Sequence, residues 1–239
     1  MIIGIDEVGY GSWAGPLVLC AVKAKEDFSH PSLTDSKKLS ANKREKIIKN
    51  MNLYSVEYKL FEISSSKIDE ISLGQAWQQG IHILLEDFLG TEDTVIIDGN
   101  KIPKQLKNNE QIKAVIEADA KVPQVSLASI IAKQYRDYLM DHKYDKKYPN
   151  YQFSKNKGYH SEHHKSAIVE FGFCDIHRMS YNYKFVKDIT TISLEQMAKN
   201  PGIATRTARI HGSVNLVNDD GSCFGTLYIP SGEHPELEK

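Results

Sequence analysis

Residues 3–11 read Ile3-Gly4-Ile5-Asp6-Glu7-Val8-Gly9-Tyr10-Gly11, a short apolar strand that runs into two adjacent carboxylates and then into a turn flanked by glycines. Two carboxylates at the end of a buried strand cost free energy unless a charge neutralises them, and binding of divalent cations is the commonest purpose of clustered carboxylates. The glycines allow positive φ or a close approach of the backbone to a ligand. We interpret the stretch as the floor of a catalytic site. The alternative is a surface β-turn after an edge strand.

The composition is that of an ordinary globular protein. The 239 residues are 41% hydrophobic and 26% charged, which predicts one sizeable domain with a small appendage and excludes fibrous and disordered classes. The chain has no apolar run of membrane-spanning length and no signal-type N-terminus, so we expect a cytoplasmic protein without a membrane partner. Three widely spaced cysteines predict neither a disulfide framework nor a zinc site. A formal net charge of −1 gives no global case for nucleic-acid binding, so such a case depends on local clusters.

The hydrophobic pattern predicts an α/β fold, a mixed β-sheet flanked by helices. Predicted strands cover residues 1–6, 17–24, 54–63, 94–98 and 113–118. Predicted helices cover residues 40–50, with Ser40 as the N-cap, 73–89, and 123–140. Further along, we expect a short helix over 192–199 and a hairpin with strands over 209–217 and 224–229.

Two more carboxylates follow apolar runs. Asp98 ends the strand at 94–98, and Asp119 follows the one at 113–118. Together with Asp6 and Glu7 they would meet at strand ends or strand-to-helix junctions, where four carboxylates can bind two Mg²⁺ or Mn²⁺ ions and leave coordination sites for water and a phosphodiester. The set therefore predicts a metal-dependent site for in-line phosphodiester hydrolysis.

Lysine and aromatic residues alternate between Lys143 and Tyr159. Basic side chains suit phosphates and aromatic faces suit bases or sugars, although a solvated loop with tyrosines packed on the domain has the same pattern. Nearby histidines lack a clean ligand spacing, and we interpret them as surface or phosphate-facing imidazoles rather than a metal cluster. These histidines are His160, His163, His164 and His177.

An ordered set of motifs resembles the ribonuclease HII family, the type 2 ribonucleases H, over roughly residues 1–182. The motifs are Gly4–Gly11, Ala14-Gly15-Pro16, Asp35-Ser36-Lys37-Lys38-Leu39, Ile97-Asp98-Gly99-Asn100, Asp119-Ala120-Lys121, Ala128-Ser129-Ile130-Ile131-Ala132-Lys133 with Arg136-Asp137, Lys157-Gly158-Tyr159 and His177-Arg178. Each piece alone is weak, but their order makes the set specific.

The resemblance implies a ribonuclease H-like fold and endonucleolytic cutting of RNA in RNA/DNA hybrids, including ribonucleotides embedded in DNA, with 5′-phosphate and 3′-hydroxyl products. It assigns the catalytic and metal-binding roles to Asp6, Glu7, Asp98 and Asp119, with Asp6 bridging two ions. It matches Tyr159 to the tyrosine that packs on the sugar beside the ribonucleotide.

The resemblance also indicates which residues contact the substrate. The loop Gly9-Tyr10-Gly11 matches the motif that senses the ribose 2′-hydroxyl, the one group there that separates RNA from DNA. Further substrate contacts are expected from Ser129, Lys157, Lys37 and Lys38, although the last two equally suit a solvated loop.

The chain departs from the family at Tyr10, where Arg or Lys is usual. Tyr supplies neither a cation nor a forked phosphate contact, although the flanking glycines can still present their amides. We therefore expect hybrid cleavage to survive and action at a single embedded ribonucleotide to be weaker. The alternative is that Tyr10 only stacks on nucleic acid or on a neighbouring loop.

We predict a catalytic domain at 1–182 and a small, β-rich C-terminal extension at 183–239 to which the sequence assigns no activity. A single domain acting on a duplex needs no oligomer, so a monomer is expected. Two rival interpretations stay open at this point: a ribonuclease H-like nuclease acting on DNA, and a catalytically silent hybrid-binding protein. Retention of all four acids argues against the second, because clustered carboxylates without metal repel each other.

Overall fold

The computed structural model describes residues 1–33, 36–51, 54–86, 88–181, 183, 191–199, 202–211 and 213–228. Five strands form the main sheet: β1 (Ile2–Val8), β2 (Leu17–Ala24), β3 (Glu57–Ile63), β4 (Thr94–Asp98) and β5 (Ile112–Val115). Their order is β3-β2-β1-β4-β5. β1 to β3 form an antiparallel meander, whereas β4 runs parallel to β1 and β5 runs parallel to β4. The predicted mixed sheet is confirmed.

Five helices accompany this sheet: α1 (Ala41–Lys49), α2 (Ser65–Ile71), α3 (Leu73–Glu86), α4 (Pro123–Tyr138) and α5 (Glu162–Phe171). Shorter helical turns are Ser36–Lys38, Lys104–Leu106, Ala118–Ala120, Leu139–Tyr144, Asp145–Lys147, Pro149–Tyr151 and Phe153–Asn156. Ser40 caps α1 as predicted, since its side chain accepts a hydrogen bond from the Lys43 amide. The sequence interpretation missed α2 and α5.

Helices cover both faces of the sheet, which explains why β2 is buried along nearly its whole length. Alternate residues such as Ile3 and Ile5 pack against α2 and α3, while Val18 and Val22 pack in a second cluster with α1 and α4. Gly4 lets α4 approach β1 closely, because a Cβ atom there would lie 2.3 Å from the backbone of Gln124 and Val125. This approach places α4 directly beside the carboxylates of β1.

Residues 191–228 form a second, three-stranded sheet. Its strands β6 (Thr191–Ser193), β7 (Ser213–Val217) and β8 (Cys223–Tyr228) lie in that order in the sheet. Two helices, α6 (Leu194–Lys199) and α7 (Ile203–His211), lie between β6 and β7 in the sequence. A separate apolar cluster forms around Ile192, Ile203 and Val214. The small sheet was predicted, but two local expectations were wrong: 191–193 is a strand, and 209–211 belongs to a helix whose apolar face packs on that cluster. The expected strand end at Ile229 and the region 229–239 lie outside the described residues.

No helix in the described part of the chain is long and apolar enough to cross a membrane.

Candidate active site

The parallel pairing of β1 and β4 brings two predicted site residues together. Ile5 aligns with Ile97, so the next residues along the two strands are Asp6 and Asp98. Because equivalent positions of adjacent parallel strands project to the same face, both carboxylates lie on the face covered by α4.

Asp6 and Glu7 lie on opposite faces of β1, because successive side chains in a strand alternate. On the α4 side, the Ser129 hydroxyl hydrogen-bonds the Asp6 carboxylate, and Ser129 is itself paired with Ser36 at 2.9 Å between hydroxyl oxygens. On the α3 side, Trp77 Nε1 donates to Glu7 Oε2 at 3.1 Å. The two neighbouring acids are therefore oriented by different helices.

Asp98 and Asp119 are linked through the turn that follows β5. The Ala118 amide donates to Asp98 Oδ1 at 2.7 Å. Asp119 lies in the helical turn Ala118–Ala120, after Glu117 has taken the left-handed conformation with φ 56°. Asp119 thus stands past the end of β5, on the turn that leads into α4.

All four carboxylates line one cavity of about 490 Å³. The other residues lining it are Val8, Gly9, Tyr10, Gly11, Ser36, Ser129, Lys133 and Tyr159. The structure therefore gathers most of the predicted site residues around a single space large enough for a nucleotide-sized group.

Burial is the main influence on the electrostatics of Asp6. Burial first, and then the neighbouring charge of Glu7, raise the pKa of the Asp6 carboxyl from 3.8 to about 7, and Asp98 adds to the rise. The Ser129 hydroxyl opposes it by stabilising the anion. A cation bound among these groups would offset the effects of burial and of the neighbouring negative charges on this pKa, and hard carboxylate oxygens are the donors that Mg²⁺ and Mn²⁺ prefer. The donor set therefore fits such ions.

The carboxylates line the cavity without converging tightly. Across the described residues, no three His, Cys, Asp or Glu side chains are close enough together to hold a metal ion as they stand.

Two buried arginines hold the glycine-flanked loop beside the cavity. Arg136 and Arg178 are both fully buried. Arg136 donates to the carbonyls of Pro16, Lys157 and Ala14 and to the Ser12 hydroxyl, at 2.8–3.0 Å. Arg178 donates to the carbonyl of Tyr10 at 2.8 Å and to that of Gly15 at 3.0 Å. These buried arginines thereby fix the backbone of Gly9-Tyr10-Gly11 from the protein interior, while Tyr10 stays 40% exposed.

Tyr159 closes one side of the cavity. Its hydroxyl accepts a hydrogen bond from the Gly9 amide at 3.2 Å, and its ring lies 5.2 Å from the Arg136 guanidinium. Next to it, the Gly158 carbonyl accepts from the amides of Trp13 and Ala14. The two predicted substrate-binding segments are therefore parts of one wall.

The predicted lysines behave differently. The Lys157 ammonium pairs with Asp141 and the Ser154 carbonyl and does not line the cavity. Lys38 is exposed and away from the cavity lining, and the Lys37 side chain lies outside the described residues. The lining residues that received no role from the sequence are Val8, Ser36 and Lys133, although all three belong to motifs already noted.

The interpretation of the histidines was wrong for two of the four. His160 and His163 are exposed, but His164 and His177 are buried, at 0% and 2% exposure. The buried pair lies behind Tyr159, where α5 folds over the loop. A histidine spacing alone does not reveal which imidazoles such packing will bury.

The ribonuclease HII family model matches residues 3–184 of the chain. Ribonuclease HII from Francisella tularensis subsp. holarctica is 38% identical over 182 residues, which cover 76% of this chain and 95% of the relative. The protein of the same name from subsp. novicida is also 38% identical, over 76% of this chain and 96% of its own length.

Solved structures agree with this. A chain of the PCNA:RNase HII complex from Archaeoglobus fulgidus matches with a TM-score of 0.63 and 25% identity, covering 75% of this chain and 92% of that one. Ribonuclease H2 from Pyrococcus horikoshii OT3 matches with a TM-score of 0.60 and 24% identity, over 78% and 99%, a likeness that bears on the fold alone.

The sheet topology and the acid-lined cavity at its strand ends define a protein of the ribonuclease H fold. Within that fold, the chain belongs to the ribonuclease HII family. It is a ribonuclease H, an endonuclease with nucleic acid as its substrate. The rival interpretations as a DNA nuclease and as a silent binding protein lose their support at this point.

Proposed function

We propose that this ribonuclease H hydrolyses the RNA strand of RNA/DNA hybrids and also cuts at ribonucleotides embedded in DNA, leaving 5′-phosphate and 3′-hydroxyl ends. The observation that carries the proposal is the single cavity lined by Asp6, Glu7, Asp98 and Asp119, with the glycine-flanked loop and Tyr159 on its rim. An acid cluster beside a wall suited to a sugar fits an enzyme that cuts next to a ribose.

The four carboxylates are the proposed metal ligands and catalytic residues. Two bound Mg²⁺ or Mn²⁺ ions would supply activation of a water molecule and stabilisation of the leaving 3′ oxygen. The chain's own groups prepare the ligands for this role. Ser129 holds the Asp6 carboxylate, Trp77 holds that of Glu7, and the Ala118 amide holds that of Asp98.

Recognition of RNA is assigned to the part of the cavity lined by the glycine-flanked loop and Tyr159. Gly9, Tyr10 and Gly11 line the cavity, and the shape of this loop is fixed by Arg178 on the Tyr10 carbonyl and by Tyr159 on the Gly9 amide. A rigid backbone can test for a 2′-hydroxyl without rearrangement, and that hydroxyl is what separates RNA from DNA. Lys157 stabilises this part of the cavity indirectly, since its backbone carbonyl accepts a hydrogen bond from the buried Arg136.

We further propose that one chain is sufficient for activity, because the fold of a single chain already brings the four carboxylates, the glycine-flanked loop and Tyr159 around one cavity. The division into a catalytic unit at 1–182 and an extension at 183–239 stays a prediction. It is supported by the separate sheet and separate apolar cluster of residues 191–228.

The test is cleavage of two labelled duplexes of matched sequence, one an RNA/DNA hybrid and one DNA with a single ribonucleotide, in Mg²⁺, in Mn²⁺ and in EDTA. Metal-dependent cutting of both, with 5′-phosphate ends, supports the proposal. Cutting of the hybrid alone would contradict the proposed activity at embedded ribonucleotides. Cutting in EDTA would contradict the proposed dependence on a metal ion. No cutting in any condition restores the silent binding protein. Asp6→Asn is the matched inactive control.

A further inference from the structure

A pair of buried histidines lies directly behind Tyr159. His164 is the third residue of α5, whose N-cap Ser161 accepts from its amide, and His177 follows the turn after that helix. Their Nε2 atoms are 3.0 Å apart. A nitrogen–nitrogen contact of this length between two imidazoles requires one proton between them, so one ring donates and the other accepts.

The surrounding groups determine which ring donates. The Cys174 backbone amide donates to Nδ1 of His177 at 3.0 Å, a shorter contact than the 3.3 Å between the same Nδ1 and the Cys174 carbonyl oxygen. Because a backbone N–H can only donate, Nδ1 of His177 carries no proton, and a neutral His177 must be protonated at Nε2. His177 therefore donates to Nε2 of His164. His164 then carries its proton on Nδ1, which lies 2.8 Å from the carbonyl oxygen of Tyr159.

The result is a directed chain of hydrogen bonds from Cys174 through both imidazoles to the Tyr159 backbone. The hydrogen-bond chain ends at the Tyr159 carbonyl, and the hydroxyl of the same residue separately accepts from the Gly9 amide. His177 is followed by Arg178, which holds the Tyr10 carbonyl. The buried dipeptide His177-Arg178 thus supports both Tyr159 and the glycine-flanked loop, the two parts of the proposed ribose-binding wall.

This chain of hydrogen bonds forms only when both imidazole rings are neutral. A second proton on His164 would set two N–H groups against each other at the Nε2 contact. The packing opposes that proton: rings of Trp13, Tyr151, Phe153 and Phe173 surround the pair. Burial, assisted by the nearby charge of His163, lowers the pKa of His164 to about 4, although its contact with the Tyr159 carbonyl acts in the opposite direction. Of the other titratable groups facing the pair, the Cys174 thiol lies 3.1 Å from His177 Nδ1, and the Tyr151 hydroxyl donates away from the pair, to the Gly172 carbonyl.

We propose that His164 and His177 are positioning residues for substrate recognition, which hold Tyr159 against Gly9 through a neutral imidazole pair of fixed tautomers. The inference rests on the proposed function, because it assigns Tyr159 to the ribose-facing wall. The two histidines act through Tyr159 and touch no reacting atom.

Two substitutions at His164 separate positioning from packing. His164→Asn keeps a side-chain N–H close to the place of Nδ1, so it can still donate to the Tyr159 carbonyl. His164→Phe keeps an aromatic ring but donates nothing. We expect His164→Phe to lower kcat/KM on the single-ribonucleotide duplex about tenfold, the effect of one lost hydrogen bond near the upper end of its usual range. His164→Asn is expected to recover most of this loss. The exposed His163, changed to Phe, is the matched control on the same helix.

A double-mutant cycle tests whether the effect passes through Tyr159. In a Tyr159→Phe background the hydroxyl that meets Gly9 is gone, so His164→Phe should add little further loss. Additive losses in the double variant would show a general packing role and overturn the inference.

The tautomers can be measured without any cleavage assay. Two-dimensional ¹⁵N–¹H spectra of the imidazoles should show His177 protonated at Nε2, His164 protonated at Nδ1, and a ¹⁵N–¹⁵N coupling across the Nε2 contact. Hydrogen exchange of the Gly9 amide should accelerate in His164→Phe, with the central-strand amides of Ile5 and Val22 unchanged. The opposite tautomers, a charged ring at neutral pH, or unaltered Gly9 exchange would each overturn the inference. If the wild type cuts neither duplex, the proposed function fails, while these spectra still decide the tautomers and the hold on Tyr159.

Discussion

The Gly9 amide and the Tyr159 hydroxyl form a 3.2 Å hydrogen bond between positions 150 residues apart in the chain. The contact joins the loop after the first strand to the segment before α5. Gly9 can make it because the backbone there has φ 86° and no side chain occupies the narrow space in front of Arg136.

Substitution of Gly9 by Ala should therefore be costly. The new Cβ would lie 2.3 Å from Arg136 Nε and 2.7 Å from the Pro16 carbonyl oxygen, and positive φ strains any non-glycine residue. We expect a loss of at least about 1 kcal/mol in the free energy of unfolding, measured by urea denaturation, together with loss of cleavage. Gly11→Ala is the control for the free energy of unfolding, because a Cβ at Gly11 would meet nothing within 4 Å. Equal effects of the two substitutions would contradict the crowding argument.

Asp6→Asn should have opposite effects on activity and on metal-free stability. Removing this carboxylate should lower kcat roughly a thousandfold or more, as expected for loss of several kcal/mol of transition-state stabilisation. The metal-free variant should nevertheless melt higher than wild type at pH 8. The folded pKa of about 7 lies above the ordinary 3.8, so ionisation of Asp6 removes stability as the pH rises through that interval.

Thermal melts at pH 5 and pH 8, with EDTA and with Mn²⁺, measure this. The stabilisation of wild type by Mn²⁺ should be larger at pH 8, because the metal competes with the proton for Asp6. An Asp6→Asn variant that melts lower than wild type at pH 8 in EDTA would show that the charge on Asp6 is compensated by other groups.

Tyr10→Arg should improve cutting at a single embedded ribonucleotide. The Tyr10 side chain borders the cavity while its carbonyl is held by Arg178, so the backbone of the loop can stay in place when the side chain changes. Arg adds a cation with forked donors suited to phosphate. We expect a gain of about three- to tenfold in kcat/KM at low salt, with a steeper salt dependence. Tyr10→Phe is the matched control without the hydroxyl. No gain in a wild type that is already highly active would contradict the expectation.

His164 should make the protein sensitive to mild acid. Its folded pKa of about 4 lies below the ordinary 6.5, so the stability is complete above pH 6.5 and is lost as the pH falls toward 4. At pH 5 the loss should be roughly 2 kcal/mol relative to neutral pH. Urea unfolding in the Asp6→Asn background isolates this effect, because Asp6 titrates with the opposite sign. His164→Phe should flatten the pH dependence; an unchanged slope would assign the acid sensitivity to other groups.

The sequence was informative where chemistry and periodicity coincide. Asp6 and Asp98 each follow an apolar run typical of a buried strand, so their meeting at one edge of a mixed sheet could be predicted. The position of Asp119 was harder to predict from the sequence, because it depends on the left-handed Glu117 that turns the chain after β5. Its place in the cavity lining follows from that turn rather than from a strand end.

Contacts that depend on tertiary packing were not predictable in the same way. The hydrogen bond from Trp77 to Glu7 depends on how α3 is oriented about its own axis when it packs on the sheet. The hydrophobic pattern identifies Trp77 only as a core residue. Lys157 was expected at the substrate, but Asp141 from the preceding helical segment holds its ammonium. In the same way, the burial of His164 depends on how α5 folds over the loop.

Arg136, Gly158 and Arg178 fix residues 9–16, and their late positions in the chain determine when during synthesis this loop can form. The loop leaves the ribosome before the groups that secure it, because those groups lie 120 or more residues later in the chain. Long-range contacts of this kind are made late in folding, because the intervening chain must close first. A nascent chain therefore carries Asp6 and Glu7 long before residues 9–16 can take their final shape, so the proposed selectivity for RNA can arise only after Arg178 has been synthesised.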